Sequence, residues 1–241
     1  MSLFGGNKLN YTFNWEMILS GEYLDWIIEG FKVSINLMVV SSLLAIVVGV
    51  LLTFLSMSHH RVLRGIAQAY VELCRNIPTL IWIVFFFYVV PSLFPHDIMF
   101  AINRNPHLAY ISAILGLSIS SSGYIGEILR GGIQAVPREQ SSAAYALGLS
   151  KLQTWWHVIM PQALRNCFPA LVNRTIHNVQ NTSLGMVISV HEIMCMTSRI
   201  SSITFHGIET MLIATVFFVL CCFTLEFAAR LIEKFVIPIH A

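Results

Sequence analysis

Charged side chains are scarce in this chain. Only 11% of its 241 residues are Asp, Glu, Lys or Arg, whereas 56% are hydrophobic. An ordinary globular domain carries about 25% charged residues, so this chain has too little polar surface for a soluble domain. The composition therefore predicts a membrane protein.

Familiar catalytic signatures are missing as well. The sequence contains no G-x4-G-K-[ST] loop to hold nucleotide phosphates, no H-E-x-x-H zinc motif and no G-x-S-x-G nucleophile elbow. Its five cysteines show neither metal-ligand spacing nor the framework of a secreted protein. We therefore expect a chain that is not itself an enzyme, binds no cofactor or metal, and has no nucleic-acid partner.

Long uncharged runs predict an all-α, polytopic membrane protein with one domain over residues 1–241. Val33–Met57 has no charged residue and is long enough to cross about 30 Å of hydrocarbon. About five transmembrane helices are expected, at residues 31–57, 66–94, 108–130, 165–190 and 208–235. The fourth is interrupted by polar residues, which are costly at membrane depth unless they face a bundle interior or water. This span therefore indicates a solute path, or else it lies on the surface and only four spans exist.

Lys and Arg are concentrated in alternate loops. The first loop carries Arg61 and Arg64, and the long third loop carries Arg130, Arg138, Lys151 and Arg165. Because cytoplasmic loops are enriched in Lys and Arg, we expect the N-terminus outside and the C-terminus in the cytoplasm. Residues 1–29 lack the pattern of a signal peptide and are expected to form an amphipathic segment at the outer interface.

The predicted cytoplasmic loop, residues 137–161, has its own helical signals. A short helix is expected over Glu139–Leu149, with Gly148 as a left-handed C-cap and Ser150 capping the next turn. Pro161 fits the first turn of a new helix. Ala143, Ala144 and Leu147 share one face of the short helix. That face could enter a groove on another protein, or it could lie against the spans of this chain.

Two groups of polar residues are candidates for the solute path. Glu72 and Arg75 stand three residues apart and can pair, either lining the path or forming a structural ion pair; Glu127 and Arg130 repeat the spacing. The second group can hydrogen-bond a small polar solute or can join helices to one another; it consists of Asn178, Asn181, Thr182 and Ser183.

Four motifs in order give a resemblance to a known family. Ser142–Gly148 followed by Val158–Pro161 resembles the E-A-A-x3-G-x9-I-x-L-P loop of ABC-importer permeases. Glu72–Pro78 looks like the E-x-x-R-x-x-P segment of permeases for polar amino acids. Ser122–Pro137 is similar to the third span of that family, and Asn181–Leu184 to its D/N-T-S-L segment. The chain thus resembles a type I permease of the polar amino-acid uptake family, with glutamate, aspartate or glutamine as possible substrates.

The resemblance implies a multi-pass subunit of the bacterial cytoplasmic membrane. A second permease, two ATPase subunits that bind ATP and Mg²⁺, and an extracytoplasmic solute-binding protein would complete the complex in the lipid bilayer. It also implies a set of ATPase-coupling residues: Glu139, Ser142, Ala143, Ala144, Leu147, Gly148 and Pro161.

The chain departs from the family pattern at three positions. Ser142 stands where the family has glutamate, Glu139 where it has glycine, and Gln180 where lysine often precedes the D/N-T-S-L segment. The alternatives are a gradient-driven transporter or channel subunit and a membrane scaffold. An odd number of spans without a visible internal repeat argues against the architecture common in secondary transporters.

Overall fold

The computed structural model describes residues 11–236, which fold into helices without any strand. The all-α expectation is confirmed. The α-helices are α1 (Trp15–Ile18), α2 (Gly21–Ser56), α3 (Arg61–Asn76), α4 (Thr79–Val84), α5 (Val90–Ser92), α6 (His96–Asn103), α7 (Leu108–Gln134), α8 (Arg138–Ala146), α9 (Lys151–Thr154), α10 (Met160–Asn181), α11 (Ile193–Thr204) and α12 (Gly207–Val236). Two π-helical segments, Phe85–Val89 and Trp155–Ile159, and one 3₁₀ segment, Thr182–Ile188, continue these helices.

Helix α7 is the centre of the bundle and contacts α2, α3, α4 and α10. Glycines allow this close packing. A Cβ added at Gly116 would lie 2.7 Å from the backbone of Ile83 in α4, and one at Gly123 would lie 2.5 Å from the Cβ of Cys74 in α3. Small residues let helix backbones approach one another inside a membrane. The two halves of the chain therefore meet on α7.

Within the described residues, three helices are long and apolar enough to cross a membrane: Gly21–Ser56, Leu108–Gln134 and Gly207–Lys234. They coincide with the spans expected at 31–57, 108–130 and 208–235. The most apolar stretch of α7 has a mean hydropathy of 1.4, against 2.7 in α2, but 56% of it is buried. The serines of α7 therefore face other helices rather than lipid. In contrast, only 6% of the corresponding stretch of α12 is buried.

The expected span at 66–94 is a bent pair of helices rather than one straight helix. Residues Arg61–Asn76 and Thr79–Ser92 meet at an angle of 106°. Between them Ile77 is extended, with ψ 125°, and Pro78 has ψ 141°. Proline donates no backbone hydrogen bond and disfavours helical geometry in the residue before it. The break at Pro78 therefore has a local cause.

The expected span at 165–190 is also built from two pieces. Helix α10 ends at Asn181, and the tighter 3₁₀ segment ends at Ile188 and is followed by Ser189, which has a left-handed φ of 60°. Polar residues keep α10 out of the set of three long apolar helices described above. Its burial against α7, α2 and α12 compensates for this polarity.

Part of the outer interfacial segment expected at 1–29 belongs to the first long helix. Residues 21–29 belong to α2, which runs without interruption into the first span, and residues 1–10 lie outside the described range. The segment before α2 is fastened to α12. The backbone N–H of Asn14 donates to Glu209 Oε1 at 2.9 Å, and the Tyr11 hydroxyl donates to the same carboxylate.

Candidate functional site

The loop between α7 and α10 starts with a well-defined helix end. Helix α8 ends at Ala146, and Gly148 has φ +82°. The Gly148 N–H donates to the Tyr145 carbonyl at 3.0 Å and the Leu149 N–H to the Ala144 carbonyl at 3.1 Å. These two bonds form a Schellman motif. The predicted left-handed cap at Gly148 is therefore confirmed.

Ser150 starts the next helix, also as predicted. Its Oγ accepts from the Gln153 N–H at 3.3 Å, and Gln153 Oε1 accepts from the Ser150 N–H at 2.9 Å. This is a capping box. The turn between α8 and α9 is thus fixed on both sides by hydrogen bonds.

Pro161 lies in the first turn of α10, which begins at Met160. A residue without an N–H is tolerated at that position, so the prediction for Pro161 is confirmed. The π-helical turn Trp155–Ile159 precedes α10 without a gap, and the chain is therefore helical from Lys151 to Asn181. A wider turn disrupts the usual hydrogen-bond ladder only locally.

The apolar face predicted on the short helix is divided in the structure. Ala144 is buried, whereas Ala143 is exposed and Leu147 is 81% exposed. Glu139 and Ser142 are also exposed, and the Ser142 hydroxyl donates only to the carbonyl of Arg138. Ala144 therefore packs against this chain, while Ala143 and Leu147 remain exposed. We call the exposed set the loop surface; it comprises Glu139, Ser142, Ala143, Tyr145 and Leu147.

Inside the bundle, Asn178 joins three helices. Its Nδ2 donates to Ser41 Oγ at 2.9 Å and to Ser42 Oγ at 3.0 Å, and its Oδ1 accepts from Ser121 Oγ at 2.7 Å. The residue is 1% exposed. Asn178 therefore holds α10 against α2 and α7 in the described conformation.

The other three candidates of this group lie in different surroundings. Asn181 is half-buried, and its Nδ2 donates to Thr79 Oγ1, whose hydroxyl is 2.8 Å from that of Ser120. Thr182 is fully buried, and its hydroxyl donates to a carbonyl of its own helix. Ser183 does the same and lines a groove of about 510 Å³ beside α11 and α12.

The predicted Glu72–Arg75 pair is not formed. Glu72 is exposed and makes no ion pair among the described residues, while the Arg75 guanidinium lies 4.0 Å from the Glu127 carboxylate. The predicted Glu127–Arg130 pair is present, with Arg130 Nε donating to Glu127 Oε2 at 2.8 Å. The chain bends at Pro78, directly after α3. The Arg75 side chain at the end of α3 contacts Glu127 of α7 rather than Glu72 of its own helix.

Arg174 is a further polar residue of the interior that the sequence reasoning did not select. Its Nη2 donates to Ser121 Oγ at 3.0 Å, and its guanidinium carbon lies 4.0 Å from the centre of the Tyr124 ring. The Tyr124 hydroxyl in turn donates to the carbonyl of Arg75 at 2.9 Å. The available signal was a lone cation in the middle of an expected span.

Glu192 lies outside the spans and is fully buried at the N-cap of α11. Its carboxylate accepts from the N–H groups of Met194 and Cys195, each at 2.8 Å. Burial raises the pKa of this carboxyl to about 7, against the opposing effect of the two hydrogen bonds. Glu192 therefore has a structural role in this chain.

Among residues 11–236, no cluster of three or more His, Cys, Asp or Glu side chains is placed to hold a metal ion. The polar interior instead consists of hydroxyl, amide and guanidinium groups on α2, α7 and α10. Such groups bind small polar molecules by hydrogen bonds.

Comparison with known proteins assigns this architecture to a family. The family described as "Binding-protein-dependent transport system inner membrane component" matches residues 41–238. The chain belongs to this family. It is therefore an inner-membrane transport permease, and its predicted resemblance to ABC-importer permeases is confirmed.

Individual relatives of the permease match over most of its length. The glutamate/aspartate import permease protein GltJ of Escherichia coli K12 is 27% identical over 235 residues, which are 94% of this chain and 96% of the relative. The glutamate/aspartate import permease protein GltK of Escherichia coli O6:H1 is 30% identical over 204 residues, 85% of this chain and 89% of the relative. The arginine transport system permease protein ArtQ of Bacillus subtilis is 26% identical, with 88% and 92% covered.

Solved structures show the same architecture. An amino acid ABC transporter crystallised with histidines superposes with a TM-score of 0.79 at 26% identity, covering 93% of the permease and 99% of that chain. The MetNI methionine ABC transporter, in an inward-facing conformation, has a TM-score of 0.71 at 19% identity, with 91% and 100% covered. The second likeness concerns the fold alone.

Proposed function

We propose that this permease is one of two permease subunits in an ATP-driven importer that carries a polar amino acid into the cytoplasm. Relatives named as import permeases for glutamate and aspartate and as an arginine transport permease support an amino-acid substrate. Each matches at least 85% of this chain, so the whole permease is comparable. Glutamate, aspartate and glutamine are the substrates to be tested first.

The continuous helix from Lys151 to Asn181 is the observation that carries this proposal. At its cytoplasmic end, the loop surface offers exposed apolar groups beside a charged residue, which suits docking onto a soluble ATPase. At its other end, the helix carries Asn178 and Asn181 into the polar interior. Because the Gly148 cap and the Ser150 capping box fix the turn between them, a displacement of α8 moves α10 as well.

In this mechanism the partner ATPases bind ATP and Mg²⁺, and their closure pushes on the loop surface. Residues Glu139, Ser142, Ala143 and Leu147 make contact, while Ala144, Gly148 and Pro161 maintain the shape of the loop. The alternate Lys- and Arg-rich loops support an N-terminus outside and a C-terminus in the cytoplasm. A solute-binding protein then delivers the substrate from the outer side.

The path itself is proposed to run beside the half-buried polar groups. Asn181, Ser183, Glu72 and Arg75 have exposed surface in the described conformation, which a second permease and the solute can share. Asn178 and Thr182 are buried behind the residues that line the path, and their hydrogen bonds hold α10 in place. Hydroxyl and amide groups bind an amino acid without holding it too tightly for release.

The experiment that tests this function is ATP hydrolysis by the purified complex in lipid discs. Solute-binding protein is added empty or loaded with glutamate, aspartate, glutamine or arginine. Stimulation by one loaded form supports the coupled importer and identifies its substrate. If no ATPase co-purifies and the permease alone transports in liposomes along a gradient, the gradient-driven alternative replaces the proposal.

A further inference from the structure

A cation lies at mid-depth of the bundle without an acidic partner. Arg174 of α10 contacts Ser121, which stands at the midpoint of α7. No carboxylate forms an ion pair with Arg174 in the described part of the chain. Its Nε is buried and has no hydrogen-bond acceptor among residues 11–236. A charged side chain at this depth is costly and marks a solute or ion pathway by default.

The guanidinium is held in a fixed plane. The ring of Tyr124 covers it at 4.0 Å, and Ser121 accepts one of its hydrogen bonds. An arginine carries five N–H donors in a rigid fork, which matches a carboxylate in a bidentate arrangement. One Nη2 donor is occupied by Ser121 and Nε is buried, so the remaining Nη donors of this partly exposed side chain can receive a ligand.

The surrounding charge favours an anion. Arg75 lies near the same tyrosine, 6.0 Å from its ring centre, and Arg130 lies on the same helix. Both share the single carboxylate of Glu127. Together with Arg174 these are three arginines against two glutamates, Glu127 and, on α3, Glu72, which leaves a net positive charge in this region.

We propose that Arg174 binds the carboxylate of the solute as it crosses the permease. This inference rests on the proposed function and adds to it the chemical group that is recognised. Arg174, Asn178 and Asn181 share one face of α10 at i, i+4 and i+7 spacing. Asn178 is occupied by three hydrogen bonds, so Arg174 and Asn181 are the members of this face that can hold the two polar ends of an amino acid.

The carboxylate can be the α-carboxylate of any amino acid or the side-chain carboxylate of an acidic one. Two isomers separate these sources: L-glutamine has a free α-carboxylate and a side-chain amide, and L-isoglutamine has the reverse. Binding of both isomers and of L-glutamate is measured by titration calorimetry on the permease–ATPase complex in lipid discs, without nucleotide. The tighter isomer identifies the carboxylate that Arg174 holds.

Three variants test the role of the arginine. Arg174→Gln is expected to weaken binding of the tighter isomer at least tenfold. Arg174→Lys retains the charge without the fork, so its affinity is expected to lie between those of wild type and Arg174→Gln. Arg165→Gln is the matched control. Arg165 is exposed on the same helix, and nine residues at about 100° each place it on the opposite face from Arg174.

The inference is overturned if both Arg174 variants bind within twofold of wild type. It is also overturned if the wild-type complex binds none of the three solutes. Separation of the two permeases in Arg174→Gln with unchanged solute binding also overturns it, because the partner then supplies the acidic group. ATP-driven uptake is a separate readout. Uptake without dependence on Arg174 rejects this inference alone, whereas Arg174-dependent binding without ATP-driven uptake rejects the proposed function alone.

Discussion

The guanidinium of Arg75 lies 4.0 Å from the carboxylate of Glu127, which also accepts from Arg130. This contact joins the end of α3 to α7 immediately before the chain bends by 106°. One carboxylate therefore holds two arginines from two helices. Glu127, rather than Glu72, stabilises the α3 half of the bent pair.

We expect Glu127→Gln to lower the stability of the permease by about 1 kcal/mol, the upper end for partly exposed ion pairs. Both arginines lose their charged partner, and the bent pair is less firmly attached to α7. Thermal unfolding of the detergent-solubilised permease measures the change. Glu72→Gln is the matched control, because Glu72 is exposed and has no ion pair in residues 11–236. An equal loss in both variants would contradict the assignment.

A second prediction concerns the helix end in the loop. Gly148→Val places a β-branched residue at φ +82°, where L-residues incur about 1–2 kcal/mol. The cap is then formed in a smaller fraction of molecules, so we expect substrate-stimulated ATP hydrolysis to fall about tenfold while membrane insertion is unchanged. Gly65→Val is the control, since Gly65 is also exposed and has open space around it but lacks a positive φ. Unchanged stimulation in Gly148→Val would remove the loop from the coupling mechanism.

Features that depend on residues close together in the sequence were predicted correctly, whereas contacts between residues distant in the sequence were not. Gly148 and Ser150 were predicted correctly because a helix cap depends on residues a few positions away. The partner of Arg75 was predicted wrongly, since Glu127 is distant in sequence and meets Arg75 only after Pro78 has turned the chain. Pro161 was also placed correctly in the first turn of a helix, but the π turn that joins this helix to α9 could not be foreseen from residue types.

The arrangement of the polar interior also depends on contacts between residues distant in the sequence. The sequence indicated which span carries polar residues, but it could not show which of them face one another. Asn178 and Asn181 have the same side chain and lie on the same face of α10. Yet Asn178 is buried among hydroxyl groups of α2 and α7, while Asn181 keeps exposed surface. Only the packing of three helices separates these two environments.

A third prediction uses this difference. Asn178→Ala leaves three serine hydroxyls without the amide, and two of these serines, Ser41 and Ser121, are buried, so we expect a loss of stability of about 1–2 kcal/mol. Asn181→Ala removes one long hydrogen bond and should change stability little, while it lowers uptake at least severalfold. Thermal unfolding and uptake into proteoliposomes are measured on both variants. The opposite pattern would assign the path to Asn178 and the structural role to Asn181.

The fourth prediction concerns pH and the buried carboxyl of Glu192. Burial raises its pKa in the folded permease to about 7, from an ordinary value of 4.5. Between these two values the unfolded chain has released this proton and the folded chain retains it. The stability that Glu192 contributes is therefore full below pH 4.5 and is lost as pH rises through about 7. A shift of this size corresponds to about 3 kcal/mol at most.

Glu192→Gln should remove this pH dependence while keeping one acceptor for the N–H groups of Met194 and Cys195. The measurement is the unfolding temperature of both proteins between pH 4.5 and 8, taken as the difference between them so that other titrating groups cancel. We expect wild type to lose stability relative to Glu192→Gln across that range. Glu139→Gln, which alters an exposed glutamate of the loop surface, should follow wild type throughout. A constant difference between wild type and Glu192→Gln would mean that the carboxyl is ionised at the helix N-terminus at every pH tested, with the backbone N–H groups outweighing its burial.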